Sequence, residues 1–272
     1  MTDAFLATLQ AALHGKYIVE RELTAGGQSR LFLASDAELP RQVVIKLLPP
    51  ELAGEVALTR FKREIALLVK LQHPHIVPII GMGATDQMMW YVMPYIAGAS
   101  LEERLRAGAL PIEEGLEVID ELSDALAHAH GIGVVHRDLK PANVLFQGRH
   151  AVLADFGVAH ARLEMLRSSS GASLSEMRKS LASAAGRLTD KGFAVGTPGY
   201  MAPEQFHADD PADARADVYA LAMVGYETLT GRAPFSEYKG ARRVVADFTA
   251  MPAPAPAPRP EIPEAVACVH EK

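Results

Sequence analysis

The spacing of apolar residues changes character once along this 272-residue chain, and a single-layer fold does not accommodate both parts. Up to about residue 93 the runs read as strands: residues 17–23, 31–34, 42–48, 76–80 and 88–93, with Ala25, Gly26 and Gly27 marking a turn between the first two. Two helical patterns accompany them, a short amphipathic one at 4–14 and one at 58–71 with Phe61, Ile65, Leu68 and Leu71 on one side. Beyond about residue 98 the helix period dominates. Leu116, Ile119, Leu122, Leu126 and Ala129 share a face over 116–130, a second helix is expected at 215–230, and only 144–146 and 151–154 read as strands. The chain is therefore expected to be α+β and bilobal, with a small antiparallel-sheet lobe carrying one main helix and a larger, mostly helical lobe. The expected divisions are an N-terminal helical extension at 1–16, a first lobe at 17–93, a connector at 94–98 and a second lobe at 99–272. A cleft between lobes is where a ligand is expected.

Composition narrows the function classes. Hydrophobic residues make up 49% and charged residues 22%, which excludes wholesale disorder. The single cysteine, Cys268, excludes a disulfide framework or cysteine zinc cage within the chain and fits a reducing compartment. With 27 basic and 33 acidic residues the net charge is −6, which argues against a nucleic-acid partner. No run approaches the ~18 apolar residues of a membrane span, and the first residues lack the pattern of a signal peptide, so no membrane association within this chain and a cytoplasmic location are expected. Two stretches lack periodicity: the Ser/Ala/Arg-rich 162–190, and 252–260, where alternating prolines predict an extended spacer.

The chemistry concentrates in a few motifs. His136-Arg137-Asp138-Leu139-Lys140-Pro141-Ala142-Asn143 is followed twelve residues after Asn143 by Asp155-Phe156-Gly157. Upstream are Val43-Val44-Ile45-Lys46 on an expected strand and Glu64 on an expected helix; downstream is Gly196-Thr197-Pro198-Gly199-Tyr200-Met201-Ala202-Pro203-Glu204. Each is weak alone, but the order and spacing together are specific. His73 and His75, which flank a proline, read as structural because no third metal ligand lies near them in sequence. His136 reads as a core histidine, and Asp217 as a helix cap.

With these motifs the sequence resembles the protein kinase family, most nearly the bacterial serine/threonine kinases of eukaryotic type, from about Tyr17 to the end. The resemblance implies ATP and Mg²⁺, with Mn²⁺ as a substitute, and catalysis by positioning and charge neutralisation. It assigns Asp138 to orienting the substrate hydroxyl and accepting its proton, Lys140 to the γ-phosphate, and Asn143 with Asp155 to the metal. Lys46, held by Glu64, would meet the α- and β-phosphates, and Asp217 would steady the loop of Asp138 from below. Leu23, Gly26, Gly27, Leu31, Met93, Pro94 and Ile96 would contact the nucleotide, the last three at a hinge. The implied activation segment, 155–204, carries Thr189 as the first candidate for phosphorylation and Thr197 as a second regulatory position beside Asp138 and Lys140. Protein substrates bearing Ser or Thr and a second copy for trans-autophosphorylation are the implied partners. The chain would be the cytoplasmic part of a longer, membrane-anchored protein if it follows many relatives.

Two departures keep an alternative open. Of the three glycines usual in the phosphate-covering turn only the middle one stands here, Gly26, with Gly27 added. The second lobe also stops short of its last helices, so Glu204 is expected to lack its usual arginine. A pseudokinase, binding ATP or acting as a scaffold without turnover, is the competing reading. A small-molecule phosphotransferase of related fold is disfavoured by Ala202-Pro203-Glu204.

Overall fold

The computed structural model describes residues 2–24, 30–48, 55–85, 88–156, 199–206, 213–236, 259 and 261. Two compact units divide them. Gly26, Gly27, Thr189, Thr197 and the segment 162–190 lie outside the described residues, as does 252–260 apart from Arg259.

The first unit is built on a five-stranded antiparallel sheet in the order β1-β2-β3-β5-β4, from β1 (Tyr17–Thr24), β2 (Arg30–Asp36), β3 (Gln42–Leu47), β4 (Gly81–Ala84) and β5 (Met89–Pro94). Strand alternation sorts the side chains. Phe32, Ile45 and Val92 stand opposite one another across three strands and join Ala34, Val43, Leu47 and Trp90 in one buried cluster. Helix α1 (Thr2–Ala12) supplies Leu9 and Ala12 to that cluster, with Leu13 just after it. Leu31, Lys46 and Tyr91, likewise paired in register, fall on the opposite face. Helix α2 (Glu55–Leu68) buries Phe61, Ile65 and Leu68 at the expected i, i+4, i+7 spacing.

The strand expected at 76–80 is not there. Ile76 makes a single parallel bridge to Leu153, and bonding to β5 begins with the Ile80 N–H on the Val92 carbonyl at 2.8 Å, just before β4. Pro78 has no N–H to give a ladder, so an apolar run that reads as a strand cannot pair as one. The glycines beyond it admit close packing: a Cβ on Gly83 would fall 2.2 Å from the Trp90 ring.

In the second unit α4 (Ile112–Gly131) buries Gly115, Val118, Leu122, Ala125, Leu126 and Ala129 as one stripe and packs against α5 (Ala214–Thr230) and β7 (His150–Leu153). β7 forms a hairpin with β6 (Val144–Gln147). A five-residue helix that periodicity did not reveal, α3 (Leu101–Leu105), starts at a capping box in which Ser100 and Glu103 satisfy each other's backbone N–H groups. α5 begins at the Asp213 cap and ends at Gly231, whose φ of 68° closes the last turn onto Glu227. His73 and His75 act as ties within this unit: His75 Nδ1 lies 2.8 Å from the Ala151 carbonyl and His73 Nε2 lies 3.1 Å from Asp124.

Candidate active site

The loop between α4 and β6 carries Asp138, and a buried carboxylate from α5 shapes it. Asp217, with no solvent exposure, accepts the backbone N–H groups of His136 and Arg137, each at 2.7 Å, one on each oxygen. His130, in the last turn of α4, completes the set at 2.8 Å. A buried carboxylate is tolerated where both of its oxygens accept hydrogen bonds in this way. The N–H of Arg137 is thus pinned, and its carbonyl accepts the Gln205 side-chain amide at 3.0 Å. Between those two bonds Arg137 holds a φ of 67°, a left-handed conformation that costs an ordinary residue about 1–3 kcal/mol. The strained residue immediately precedes Asp138.

His136, fully buried, is a crossbar. The Ala154 carbonyl, 2.9 Å from Nε2, can only accept, so Nε2 bears the hydrogen; Nδ1 is then free to accept the Asp138 N–H at 3.2 Å. Phe156 packs edge-on against the ring at 4.7 Å. Asp138 stands between two nitrogens. Lys140 Nζ reaches its Oδ2 at 2.8 Å, and Asn143 Nδ2 donates to its carbonyl at 2.7 Å and reaches Oδ2 at 3.3 Å. Among the described residues nothing hydrogen-bonds to Asp138 Oδ1. Spending its amide hydrogens on Asp138 leaves Asn143 with a hard oxygen, Oδ1, to present. The Ala154 N–H donates to the Asn143 backbone carbonyl at 2.9 Å, extending the β6–β7 pairing by one step, and Asp155, also at φ 67°, follows directly. The amide oxygen of Asn143 and the carboxylate of Asp155 are hard donor types of the kind Mg²⁺ takes. Among the described residues no group of three or more His, Cys, Asp or Glu is placed to hold a metal ion by itself.

A shallow open depression adjoins the loop, lined among others by Arg137, Asp138, Lys140, Tyr200, Met201 and Gln205. Gln205 also accepts the Ala202 N–H at 2.9 Å, and the Tyr200 hydroxyl donates to Glu227 of α5, so the wall is tied both to the loop and to the helix. Glu204 is half-buried beside it.

The other expected residues belong to the first unit. Lys46 is 9% exposed at the middle of the row Leu31–Lys46–Tyr91, with Nζ 5.9 Å from the Tyr91 ring centre. Glu64 is half-buried on α2, and Leu23 and Leu31 are half-buried near the facing ends of β1 and β2. Met93 is buried opposite Val44, while Pro94 and Ile96 are half-buried around Tyr95, whose N–H is used by the Gln42 carbonyl at 3.2 Å. Sequence reasoning missed Gln205 and His130. The nearest signal is the position of His130 in the last turn of a helix; Gln205 had none.

Comparison with known proteins bears on this arrangement. The family described as Protein kinase domain matches residues 17–263. The serine/threonine-protein kinase PknJ of Mycobacterium tuberculosis is 34% identical over 250 residues, which cover 89% of this chain and 39% of that protein. PknH of the same organism is 36% identical over 262 residues, 95% of this chain and 38% of that protein. PrkC of Bacillus subtilis is 32% identical over 257 residues, 93% and 36% respectively. This chain therefore spans less than half the length of these relatives. Among solved structures, the kinase domain of Mycobacterium tuberculosis PknI superposes with a TM-score of 0.63 at 27% identity, over 91% of this chain and 82% of that one.

Proposed function

The chain belongs to the protein kinase family, and from that premise we propose that it transfers the γ-phosphoryl group of ATP to serine or threonine hydroxyls of proteins. The observation that carries this reading is the pose of Asp138: its Oδ2 is engaged by Lys140 and Asn143, its Oδ1 is left to face a hydroxyl, its N–H is taken by His136, and the backbone just before it is fixed by Asp217. In the reaction the acceptor hydroxyl gives its proton to Asp138, its oxygen bonds to the γ-phosphorus, and the bond from that phosphorus to the bridging oxygen breaks to release ADP. Proton acceptance by a positioned carboxylate contributes about 10²–10⁴-fold. Lys140 neutralises charge on the moving phosphoryl group, and Lys46, with Glu64, holds the remaining phosphates. The nucleotide lies against Leu23, Gly26, Gly27 and Leu31, with its base at Met93, Pro94 and Ile96.

Members of this family use a divalent metal, and Asn143 and Asp155 are the residues that would hold Mg²⁺ here, where it would supply neutralisation of phosphate charge. The segment 155–204 is assigned as the activation segment, with Thr189 as the first position phosphorylated by a second copy of the chain and Thr197 as a second regulatory position. The longer relatives fit a cytoplasmic kinase region of a larger protein.

The test is incubation with labelled ATP and Mg²⁺, alone and with a generic basic protein, beside Asp138→Asn. Label incorporated by the wild type and reduced at least about 10²-fold in the variant supports the reading. Equal labelling of both refutes the role of Asp138. No labelling of either, with ATP still raising the melting temperature, would mean a pseudokinase.

A further inference from the structure

Helix α1 precedes the residues that the family matches, yet it is joined to the hairpin that the proposed function places over the nucleotide. β1 is the edge of the sheet, and the Gln10 side chain caps that edge: Nε2 donates to the Tyr17 carbonyl at 2.8 Å and Oε1 accepts the Val19 N–H at 2.9 Å. Further along the same face, the ladder between β1 and β2 slips twice, between Val19 and Arg21 and again between Glu22 and Thr24. Near the ends that lead into residues 25–29, where the ladder closes on Thr24 and Leu31, a side-chain pair also joins the strands. Arg30 gives Nε and Nη2 to the two oxygens of Glu22, both at 2.8 Å.

A partly exposed ion pair ordinarily adds little, because its long side chains must be immobilised. Here the immobilising is done by aromatic rings. The Arg30 guanidinium lies 3.9 Å from the centre of the Phe5 ring, contributed by α1, and 4.9 Å from that of Phe32, and the two rings stack on each other at 6.2 Å. Arg30 is followed by Leu31, whose register partner on the opposite face is Lys46. A displacement of Arg30 is therefore passed to the row that carries the phosphate-binding lysine.

We propose that Phe5 is a positioning residue: through Arg30 and Glu22 it fixes the two strand ends bearing the phosphate-covering turn, so that α1 sets the affinity for ATP without touching it. This rests on the kinase reading above. Phe5→Leu keeps most of the apolar bulk but removes the ring, and is expected to raise the KM for ATP about two- to fivefold with kcat at saturating ATP unchanged. Phe5→Trp restores the wild-type KM. Leu6→Ala, a neighbour packed on the same buried cluster, lowers the melting temperature without moving the KM. A Phe5→Leu KM equal to that of wild type, or a KM that rises as much in Leu6→Ala, overturns the inference while leaving the kinase reading intact. Wild type that incorporates no label overturns the kinase reading instead. The same four proteins titrated with a fluorescent ATP analogue then decide the inference by Kd, and one Kd shared by all four overturns it.

Discussion

Replacing Asp217 by Asn changes one buried oxygen into an amino group and tests the proposition that this residue sets the geometry of the catalytic loop. The carboxylate takes the Arg137 N–H on Oδ1, and the His136 N–H and His130 Nε2 on Oδ2. Asn has a single oxygen, so whichever way its amide turns, at least one buried donor faces another donor. An unmatched buried donor costs about 1–3 kcal/mol, and the surviving bonds, no longer charge-assisted, each lose about 1 kcal/mol more. The sum is about 3–5 kcal/mol, in the range found when one partner of a buried charged set is removed. At about 2–4 °C per kcal/mol for a chain of this size, the melting temperature should fall by at least about 6 °C. Activity should fall as well. Arg137 relaxes from its φ of 67° once its N–H is released, and Asp138 moves with it; a misplacement of ~1 Å costs about 10²-fold in kcat. Calorimetry and steady-state kinetics on the same preparations read both effects. A melting temperature within about 2 °C of wild type together with an unchanged kcat would refute the reasoning.

Two other outcomes follow from the same structure. His136→Phe preserves ring volume and the contact with Phe156 but leaves the Ala154 carbonyl and the Asp138 N–H unmatched, so denaturant titration should show a loss of about 2–4 kcal/mol, and a loss below about 1 kcal/mol would contradict the crossbar. In acid, Glu22 is held below its ordinary value of 4.5 by the Arg30 side chain, Asp36 below 3.8 by the Glu38 backbone N–H and by Arg41, and Asp213 below 3.8 by the Arg215 N–H. Depressed folded values mean that these groups add stability above the unfolded values and lose it as pH falls through the folded ones. The melting temperature should be flat from pH 7 to about 5 and decline below about 4.5, and a rise on acidification through that window would contradict the assignment.

What sequence conveyed depended on how far apart the cooperating residues lie. Asp138, Lys140 and Asn143 fall within one short loop, and their mutual contacts in the structure are ones that local spacing anticipates. The sheet was legible for a similar reason, since alternation over five to eight residues survives any tertiary context that buries one face. The strand at 76–80 was misread because apolar content was weighed above the missing N–H of Pro78, and α3 was missed because five residues are too few to show a period, although Ser100 and Glu103 carried the capping signal. Gln205 and His130 reach their partners across 68 and 87 positions, and neither residue type announces such a partner. From its place at a helix start Asp217 reads only as a cap; the family resemblance gives it to the loop of Asp138, and its side chain is spent there, on backbone 80 and 81 residues upstream.

The distribution of strain gives those distant bonds their meaning. Arg137 and Asp155 both sit at φ 67°, and neither is glycine. Left to local preference each would relax, and each is held by groups outside its own segment: Arg137 by Asp217 and Gln205, and Asp155 through Ala154, whose N–H is taken by the Asn143 carbonyl and whose carbonyl is taken by His136. His136 in turn accepts the Asp138 N–H, so the two strained points share one buried ring. Substitutions in α5, at the end of α4 or at Gln205 therefore act on Asp138 and Asp155 without approaching the reacting atoms. In this unit loss of stability and loss of catalysis share a cause. By contrast, Phe5 lies in the other unit and is proposed to act through the aromatic-clamped Arg30–Glu22 pair on the ends of β1 and β2, where binding of ATP can change while turnover does not.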